Sequence, residues 1–366
     1  MIDLRCGDCL EIMRGFESES MDAIITDPPY GLSFMGKKWD YDVPKQEIWV
    51  ECLRVIKPGG HLLAFAGTRT QHRMACRIED AGFEIRDMIA WVYGSGFPKS
   101  LNIGKAVKVT TEWEGWGTAL KPALEPITVA RKPLSENTVV ENVLRWGTGG
   151  LNIDECRVET IDDRTRIQTS NTPKFSGKYN NGKDYCIPIG FITGKHTQGR
   201  FPANLIHDGS DDVVNLFPYS TSGESSGFKS NQSGFIKSNK PIYNQAYPKS
   251  AGSAARFFYC AKASPSERNQ SLSKNPHPTV KPIALMEYLI KLVTPANAVI
   301  LDPFMGSGTT VIAAKNLKRR FLGIEIDKGY FEIAYQRIHE EPSPTATEEE
   351  VTDFLLKREP KQGKLF

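Results

Sequence analysis

The sequence predicts a doubly wound α/β fold: a mostly parallel sheet, helices on both faces, and a long insertion between the two halves. Three observations carry this expectation. Short apolar runs alternate with helix-length amphipathic stretches over the first hundred residues. The same alternation resumes at Ile283 and continues to about His339. Between the two, from about Arg157 to Ala255, the chain is rich in Gly, Ser, Asn and Lys, and its apolar residues stand isolated. A βαβ rhythm links parallel strands through helices, and a sheet built that way is covered on both faces.

Ile2–Cys6 and Ala23–Thr26 read as short strands around a helical stretch at Cys9–Gly15. A helix over Lys45–Ile56 is expected to stop at Lys57-Pro58-Gly59-Gly60, because proline and paired glycines end helices and turn the chain. His61–Gly67 follows as a buried strand, Thr70–Ala81 as a helix closed by Gly82, and Ile85–Val92 as another strand. Gly94–Gly117 is mixed, and Ala123–Ala130 reads as one more strand. After the insertion come a helix at Ile283–Val293, a strand at Val299–Leu301, a helix at Thr309–Leu317, a strand at Phe321–Ile326 and a helix from about Tyr330 to His339. The chain thus divides into a first half (1–150), an insertion (151–256), a second half (257–339) and an acidic tail (340–366) with the run Glu348-Glu349-Glu350 and a short helix expected near Phe354.

Composition narrows the class. With 40% hydrophobic and 24% charged residues, the chain can bury a sizeable core. Its longest apolar runs, such as Leu62–Ala66, are far below the ~18 residues of a membrane-spanning helix, and no membrane association is expected. The start, Met1-Ile2-Asp3-Leu4-Arg5-Cys6, lacks the basic and apolar segments of a signal peptide. Seven scattered cysteines fit free thiols in a reducing compartment, so a cytoplasmic protein is expected. The net charge of +3 decides little, and any nucleic-acid binding would need local basic patches.

Thr26-Asp27-Pro28-Pro29-Tyr30 sits where the apolar run Ala23-Ile24-Ile25 leaves the sheet. Consecutive prolines stiffen this strand end and leave its carbonyls without competing N–H donors. Such a site can aim one carboxylate and one carbonyl at a single small group, for example the exocyclic amine of a nucleobase. That amine is a poor nucleophile while its lone pair is delocalised into the ring. Asp27 and the Pro28 carbonyl could hold its N–H bonds, and Tyr30 could stack on a base pulled from the duplex. The bland alternative is a strand-to-loop turn with a capping Asp.

Asp302-Pro303-Phe304-Met305-Gly306-Ser307-Gly308-Thr309-Thr310 follows another strand and opens a helix. Glycines let a ligand approach the backbone, and a helix start offers unpaired N–H groups. No Lys follows Gly308, which excludes the phosphate loop, and the third glycine of the dinucleotide pattern is absent. Glu325 ends the next strand, an arrangement suited to holding ribose hydroxyls. A nucleoside ligand without a pyrophosphate fits best, and a purely structural glycine turn is the alternative. Cys6-Gly7-Asp8-Cys9 has the spacing of half a zinc site, but no second pair follows and no metal is expected.

Together the two motifs resemble the amino-methyltransferases that use S-adenosylmethionine. Their order, with Asp27-Pro28-Pro29-Tyr30 first and the glycine motif late, is similar to the permuted β class of DNA methyltransferases. His277-Pro278-Thr279-Val280-Lys281-Pro282 is similar to the segment preceding the cofactor motif there. The resemblance implies a Rossmann-like methyltransferase sheet of seven-stranded type, interrupted by a target-recognition region. It implies that Asp302, Phe304, Gly306, Ser307, Gly308 and Thr309 surround the methionine part of the cofactor. Glu325 would bind its ribose, Lys281 would sit near its carboxylate, and Gly7, Asp8 and Cys9 would lie along its adenine. Asp27, Pro28, Pro29 and Tyr30 would hold the target base, with Asp27 also bordering the cofactor.

The implied activity is methylation of adenine N6 in double-stranded DNA, with cytosine N4 as the alternative; Asp27 favours adenine, since cytosine enzymes more often carry Ser there. RNA and protein glutamine are weaker options. A catalytically silent DNA-binding module is the reading from another class, and the intact motifs speak against it. The cation–aromatic stretch of Phe228-Lys229, Phe235-Ile236-Lys237, Lys240, Tyr243 and Tyr247-Pro248-Lys249 would supply phosphate contacts and stacking, or else be a solvated insert. Members of the class often form homodimers. The tail's ending, Gln362-Gly363-Lys364-Leu365-Phe366, resembles peptides that bind bacterial sliding clamps through the Gln and the two apolar side chains.

Overall fold

The computed structural model describes residues 2–32, 40–96, 98, 100–107, 112–159, 199–222, 229–230, 242–243, 250–261 and 280–339. His277, most of the cation–aromatic stretch, and the tail with Phe354, Gln362, Leu365 and Phe366 lie outside the described residues.

In chain order the first half runs β1 (Ile2–Cys6), α1 (Cys9–Arg14), β2 (Met21–Thr26), α2 (Gln46–Val55), β3 (Ile56–Phe65), α3 (Gln71–Asp80), β4 (Glu84–Val92), α4 (Ile103–Val107), β5 (Leu124–Arg131) and α5 (Val139–Trp146). Then follow β6 (Leu205–His207), α6 (Asp211–Val214), β7 (Tyr219–Ser222), β8 (Lys229–Ser230), β9 (Ile242–Tyr243), β10 (Ser250–Ser253) and β11 (Tyr259–Cys260). The second half is α7 (Ile283–Val293), β12 (Val299–Asp302), α8 (Thr309–Asn316), β13 (Arg320–Glu325) and α9 (Lys328–His339).

Nine strands form the main sheet in the order β1-β13-β12-β2-β3-β5-β4-β6-β11. Every pairing is parallel except those of β5, which runs against both β3 and β4. The fold is the expected doubly wound α/β sheet, with short β6 and β11 added beyond β4. Its centre is buried on both sides. All six residues of β2 are buried, and along β3 the side chains alternate between two cores. Leu62 and Ala64 pack with Ile24, Trp49, Met74 and Ile78 on one face. Leu63 and Phe65 pack with Ile25, Ile127, Leu285 and Leu289 on the other. The period of two along the strand thus feeds both helix layers.

The long sequence gap between the two halves closes in the sheet. β12 lies beside β2, with Ile300 opposite Ala23 and Leu301 opposite Ile24. β1 lies beside β13, with Cys6 opposite Glu325. Parallel pairing brings the carboxyl ends of β1, β13, β12, β2 and β3 to one edge, where ligands bind in open α/β sheets.

Three expectations need correction. Lys57-Pro58-Gly59-Gly60 ends α2 but makes no turn; it lies inside β3. The register jumps there from Met21 opposite Ile56 to Ala23 opposite His61, so the extra residues form a bulge. Gly59, at φ +78, backs onto the buried Asn142, which leaves no room for a Cβ. Asn142 belongs to α5, a helix absent from the expectations although its start was readable. Thr138 and Glu141 form a reciprocal capping box, and Gly147 closes the helix at φ +75. The insertion expected over 151–256 also divides. The described residues within 1–156, within 202–214 and from 258 to 339 form one compact unit, and those within 157–201 and 215–257 a second. Leu205–His207 belongs to the first because it pairs with β4. In the second unit β7 pairs antiparallel with β10, and the guanidinium groups of Arg200 and Arg256 lie 4.2 and 4.4 Å from the Phe257 ring.

Candidate active site

The carboxyl edge of the sheet surrounds a cavity of about 350 Å³, within the size range of small-ligand pockets. Gly7, Asp8 and Cys9 after β1, Asp27–Tyr30 after β2, Asp302–Ser307 after β12 and Glu325 at the end of β13 all face it, as does Lys281. Both predicted motifs therefore open into one space.

The loop after β12 is held by its own neighbours. Asp302 is fully buried; one carboxylate oxygen accepts from Thr26 Oγ1 at 2.7 Å and Phe304 N at 3.1 Å, the other from Thr310 Oγ1 at 2.6 Å. Burial pushes its pKa up to about 7 against those hydrogen bonds. Its charge-bearing atoms tie β2 to the helix that follows, so it acts as a brace. Glu325, also buried, accepts from Gly306 N at 2.8 Å and Asp327 N at 2.8 Å. Burial raises its pKa too, while the two backbone donors pull it down. Further lone pairs remain on each oxygen for hydroxyl donors from the cavity. Phe304 lines the wall next to Trp49, with ring centroids 6.3 Å apart. Ser307 and Thr309 border the cavity, and Arg337 donates to the Ser307 carbonyl at 2.5 Å.

Gly308 departs from the expectation that it surrounds a ligand, for it does not line the cavity. It sits at φ +84, and an added Cβ would lie 2.9 Å from the Ala334 side chain of α9. Its glycine serves helix packing and backbone conformation. Asp8 faces the cavity, but its Oδ1 accepts from the Leu10 and Glu11 amides at 2.9 and 3.1 Å, capping α1. Cys9, the first residue of that helix, is buried and its thiol pKa is pushed up to about 12 by desolvation. A thiol so disposed is an apolar wall rather than a nucleophile.

Opposite this loop stands a charged cluster. Tyr30 donates its hydroxyl to Asp27 Oδ1 at 2.6 Å and lies 3.0 Å from Glu125 Oε2. Lys281 Nζ donates to Asp27 Oδ2 at 2.6 Å and is 3.1 Å from Glu125 Oε2. Lys281, expected near a cofactor carboxylate, lines the cavity with its ammonium on Asp27 and Glu125. It is 7% exposed and lies 5.0 Å from the Phe65 ring and 5.5 Å from that of Tyr30. Burial favours the neutral amine, but the two carboxylates outweigh it and hold Lys281 charged beyond its ordinary range. Burial and the same carboxylates push the Tyr30 hydroxyl well above its ordinary pKa, so it remains a donor.

The loop carrying Tyr30 is pinned by a residue that the sequence reading passed over. Buried Asp40 accepts from the amides of Tyr30 at 2.7 Å, Gly31 at 2.9 Å and Leu32 at 3.2 Å. Thr70 donates to the Tyr30 carbonyl at 2.6 Å. Glu125 was also missed. It precedes Pro126 at the start of β5, and the reversed direction of that strand brings its amino end to the edge where its neighbours have their carboxyl ends. A Glu-Pro pair opening a strand was the available local signal. Ile326 and Tyr330, beyond β13, complete the wall near Glu325.

This α/β sheet sets a stiff acidic strand end, a glycine loop and a buried Glu around one cavity. A family model described as DNA methylase, for N6 and N4 methyltransferases, matches residues 21–336, and the chain belongs to that family. It is similar to the type II methyltransferase M.HindIII of Haemophilus influenzae, at 24% identity over 90% of this chain and 93% of that protein. M.HpaI of Haemophilus parainfluenzae is 24% identical over 92% of this chain and 74% of its own length. Among solved structures, that of M1.HpyAVI with SAM aligns over 93% of this chain and all of the other, at 22% identity and a TM-score of 0.44.

Proposed function

We propose that this DNA methylase transfers a methyl group from S-adenosylmethionine to the N6 amine of an adenine extruded from double-stranded DNA. The observation that carries the reading is the shared cavity: the Asp27 carboxylate and the Glu325–Gly306 loop face the same space from neighbouring parallel strands. The residues present suit the cofactor. Glu325 offers acceptors for a ribose, Phe304 and Ile326 offer apolar walls for a base, and Gly306 and Ser307 bring backbone to the cavity. S-adenosylmethionine, when bound, supplies an electrophilic methyl group.

The chain's own groups prepare the nucleophile. Asp27 accepts a hydrogen bond from the amine, which concentrates the lone pair on nitrogen and balances positive charge as the N–C bond forms and the C–S bond breaks. The electron pair of the broken C–S bond would stay on sulfur as a neutral thioether, and the nitrogen would pass one proton to Asp27 or to water, leaving the neutral, methylated amine. The ring of Tyr30, with its backbone fixed by Asp40 and Thr70, supplies a stacking face for the extruded base. Stiffness at Pro28 and Pro29 keeps this geometry from relaxing.

The choice of adenine rests on Asp27, a carboxylate where cytosine enzymes of the resembled class more often have Ser. The test is incubation with methyl-labelled S-adenosylmethionine and unmethylated DNA, followed by nucleoside analysis. Label in N6-methyladenine is the expected result. Label in N4-methylcytosine would overturn the base assignment and keep the chemistry; no label in either would overturn both.

A further inference from the structure

Both oxygens of Asp27 already accept a strong donor. Oδ1 holds the Tyr30 hydroxyl and Oδ2 holds the Lys281 ammonium, each at 2.6 Å. A substrate amine must share this carboxylate through a remaining lone pair, in competition with both donors, or replace one of them. For Lys281 replacement is costly, because a buried ammonium stripped of its partner is left as an uncompensated charge. The carboxylate of Glu125 removes the obstacle. Its Oε2 is already 3.1 Å from Lys281 Nζ and 3.0 Å from the Tyr30 hydroxyl, so either donor has a second acceptor within reach without crossing the site.

We propose that Glu125 is a positioning residue that shares Lys281 and the Tyr30 hydroxyl with Asp27, and so frees Asp27 to receive the target amine. The role rests on the methyl-transfer reading above and extends it to a residue outside both motifs. The cluster holds two carboxylates and one ammonium, with Tyr30 between them as a neutral donor. Entry of the amine leaves Lys281 paired to Glu125, and departure of the methylated base returns it to Asp27. Without the Glu125 charge, Asp27 would be the remaining carboxylate on Lys281 among the described residues. Lys281 would then draw on Asp27 alone, and less of the Asp27 charge would be left for the amine.

The role predicts a separation between binding and turnover in Glu125→Gln, which keeps the shape and removes the charge. Single-turnover methyl transfer should fall about 10- to 100-fold, as expected for a lost ionic hydrogen bond of about 1.5–3 kcal/mol. Dissociation constants for S-adenosylmethionine and for duplex DNA should stay close to wild type. Glu125→Asp should recover part of the rate. Combining Glu125→Gln with Lys281→Met should lose less than the product of the two single losses, since removing the ammonium removes the need for its second acceptor. An active wild type with an unimpaired Glu125→Gln variant would overturn this role alone. Equal losses of cofactor affinity and rate would move Glu125 into the cofactor site and likewise overturn it. A wild-type protein that methylates neither base would overturn the proposed function and this role with it.

Discussion

The two walls of the cavity are built in opposite ways. On the β12–β13 side, most polar ties are to near neighbours in the chain, Asp302 to Phe304 and Thr310 and Glu325 to Gly306 and Asp327, with Thr26 the distant donor on Asp302. On the β2 side, Tyr30 is the near donor on Asp27 and the charged ties are long: Asp27 to Lys281 across 254 positions, and Tyr30 to Glu125 across 95. The first wall is ordered before any ligand arrives, because three backbone amides and two threonine hydroxyls already hold its carboxyl groups. The second is a set of exchangeable partners around one carboxylate. Binding a cofactor favours the former arrangement, since little ordering remains to be done. Admitting a base and releasing it methylated favours the latter, since the donors on the carboxylate must share it or give way at every turnover.

The largest expected break in this contrast is Asp27→Ala. Transfer should fall by about 10²–10³-fold or more, the loss seen when a group stabilising transition-state charge is removed. Cofactor affinity, measured by calorimetry, should change only a few-fold. A matching loss of affinity would mean that the two walls are one unit.

Acid titration examines the braced side. Buried His61 on β3 has its pKa lowered from 6.5 to about 4, by burial first and then by Arg131 and Arg86. The unfolded chain takes up this proton before the folded one does, so His61 lowers stability as pH falls from 6.5 towards 4. Asp302 runs the other way. Its pKa is raised from 3.8 to about 7, so the folded protein keeps a proton that the unfolded chain has lost, and stability falls as pH rises through that interval. Each shift corresponds to about 3–4 kcal/mol and the two oppose each other between pH 4 and 6.5. Denaturant unfolding of the wild type should therefore vary little across this window, whereas Asp302→Asn should lose stability steeply towards acid. A wild-type curve as steep as that of the variant would mean that Asp302 is ionised throughout.

Glu325→Ala should weaken S-adenosylmethionine binding by about 10- to 100-fold through a lost buried acceptor, with turnover at saturating cofactor nearly unchanged. An unaltered dissociation constant would leave Glu325 only its role of holding Gly306. The smallest effects belong to Tyr30. Tyr30→Ala should cost stacking worth about 1–3 kcal/mol, read as a higher KM for DNA or a slower transfer. Tyr30→Phe keeps the ring and should remain within a few-fold of wild type. A dead Phe variant would show that the hydroxyl, and with it the exchange among Asp27, Lys281 and Glu125, is indispensable.

The parts legible in the sequence were those whose causes are local. Asp27-Pro28-Pro29-Tyr30 announced itself because its stiffness and its acid lie within one turn. The Gly306 loop and Glu325 did so because a strand end, glycines and a second strand end follow each other closely. The βαβ alternation is likewise a pattern of successive side chains, and it predicted the sheet and most helices. Gly308 shows the limit of this reading: its glycine was visible, but the contact requiring it is with Ala334. Lys57–Gly60 shows another, since the same Pro-Gly-Gly string ends a helix and bulges a strand, and only the partner strand decides which.

By itself, the sequence determined three acidic strand ends, Asp27, Asp302 and Glu325, and a glycine turn. Tertiary structure decided what surrounds the Asp27 carboxylate. β5 runs antiparallel between β3 and β4, so Glu125 arrives at the active edge from the opposite direction. Lys281, just before α7, enters the same cluster, although the local sequence shows neither its charge partner nor its depth. The physical reason is that strand order and direction are set by burial of both faces of the sheet, a sum over the whole chain, and ion pairs formed at its edge inherit that global choice.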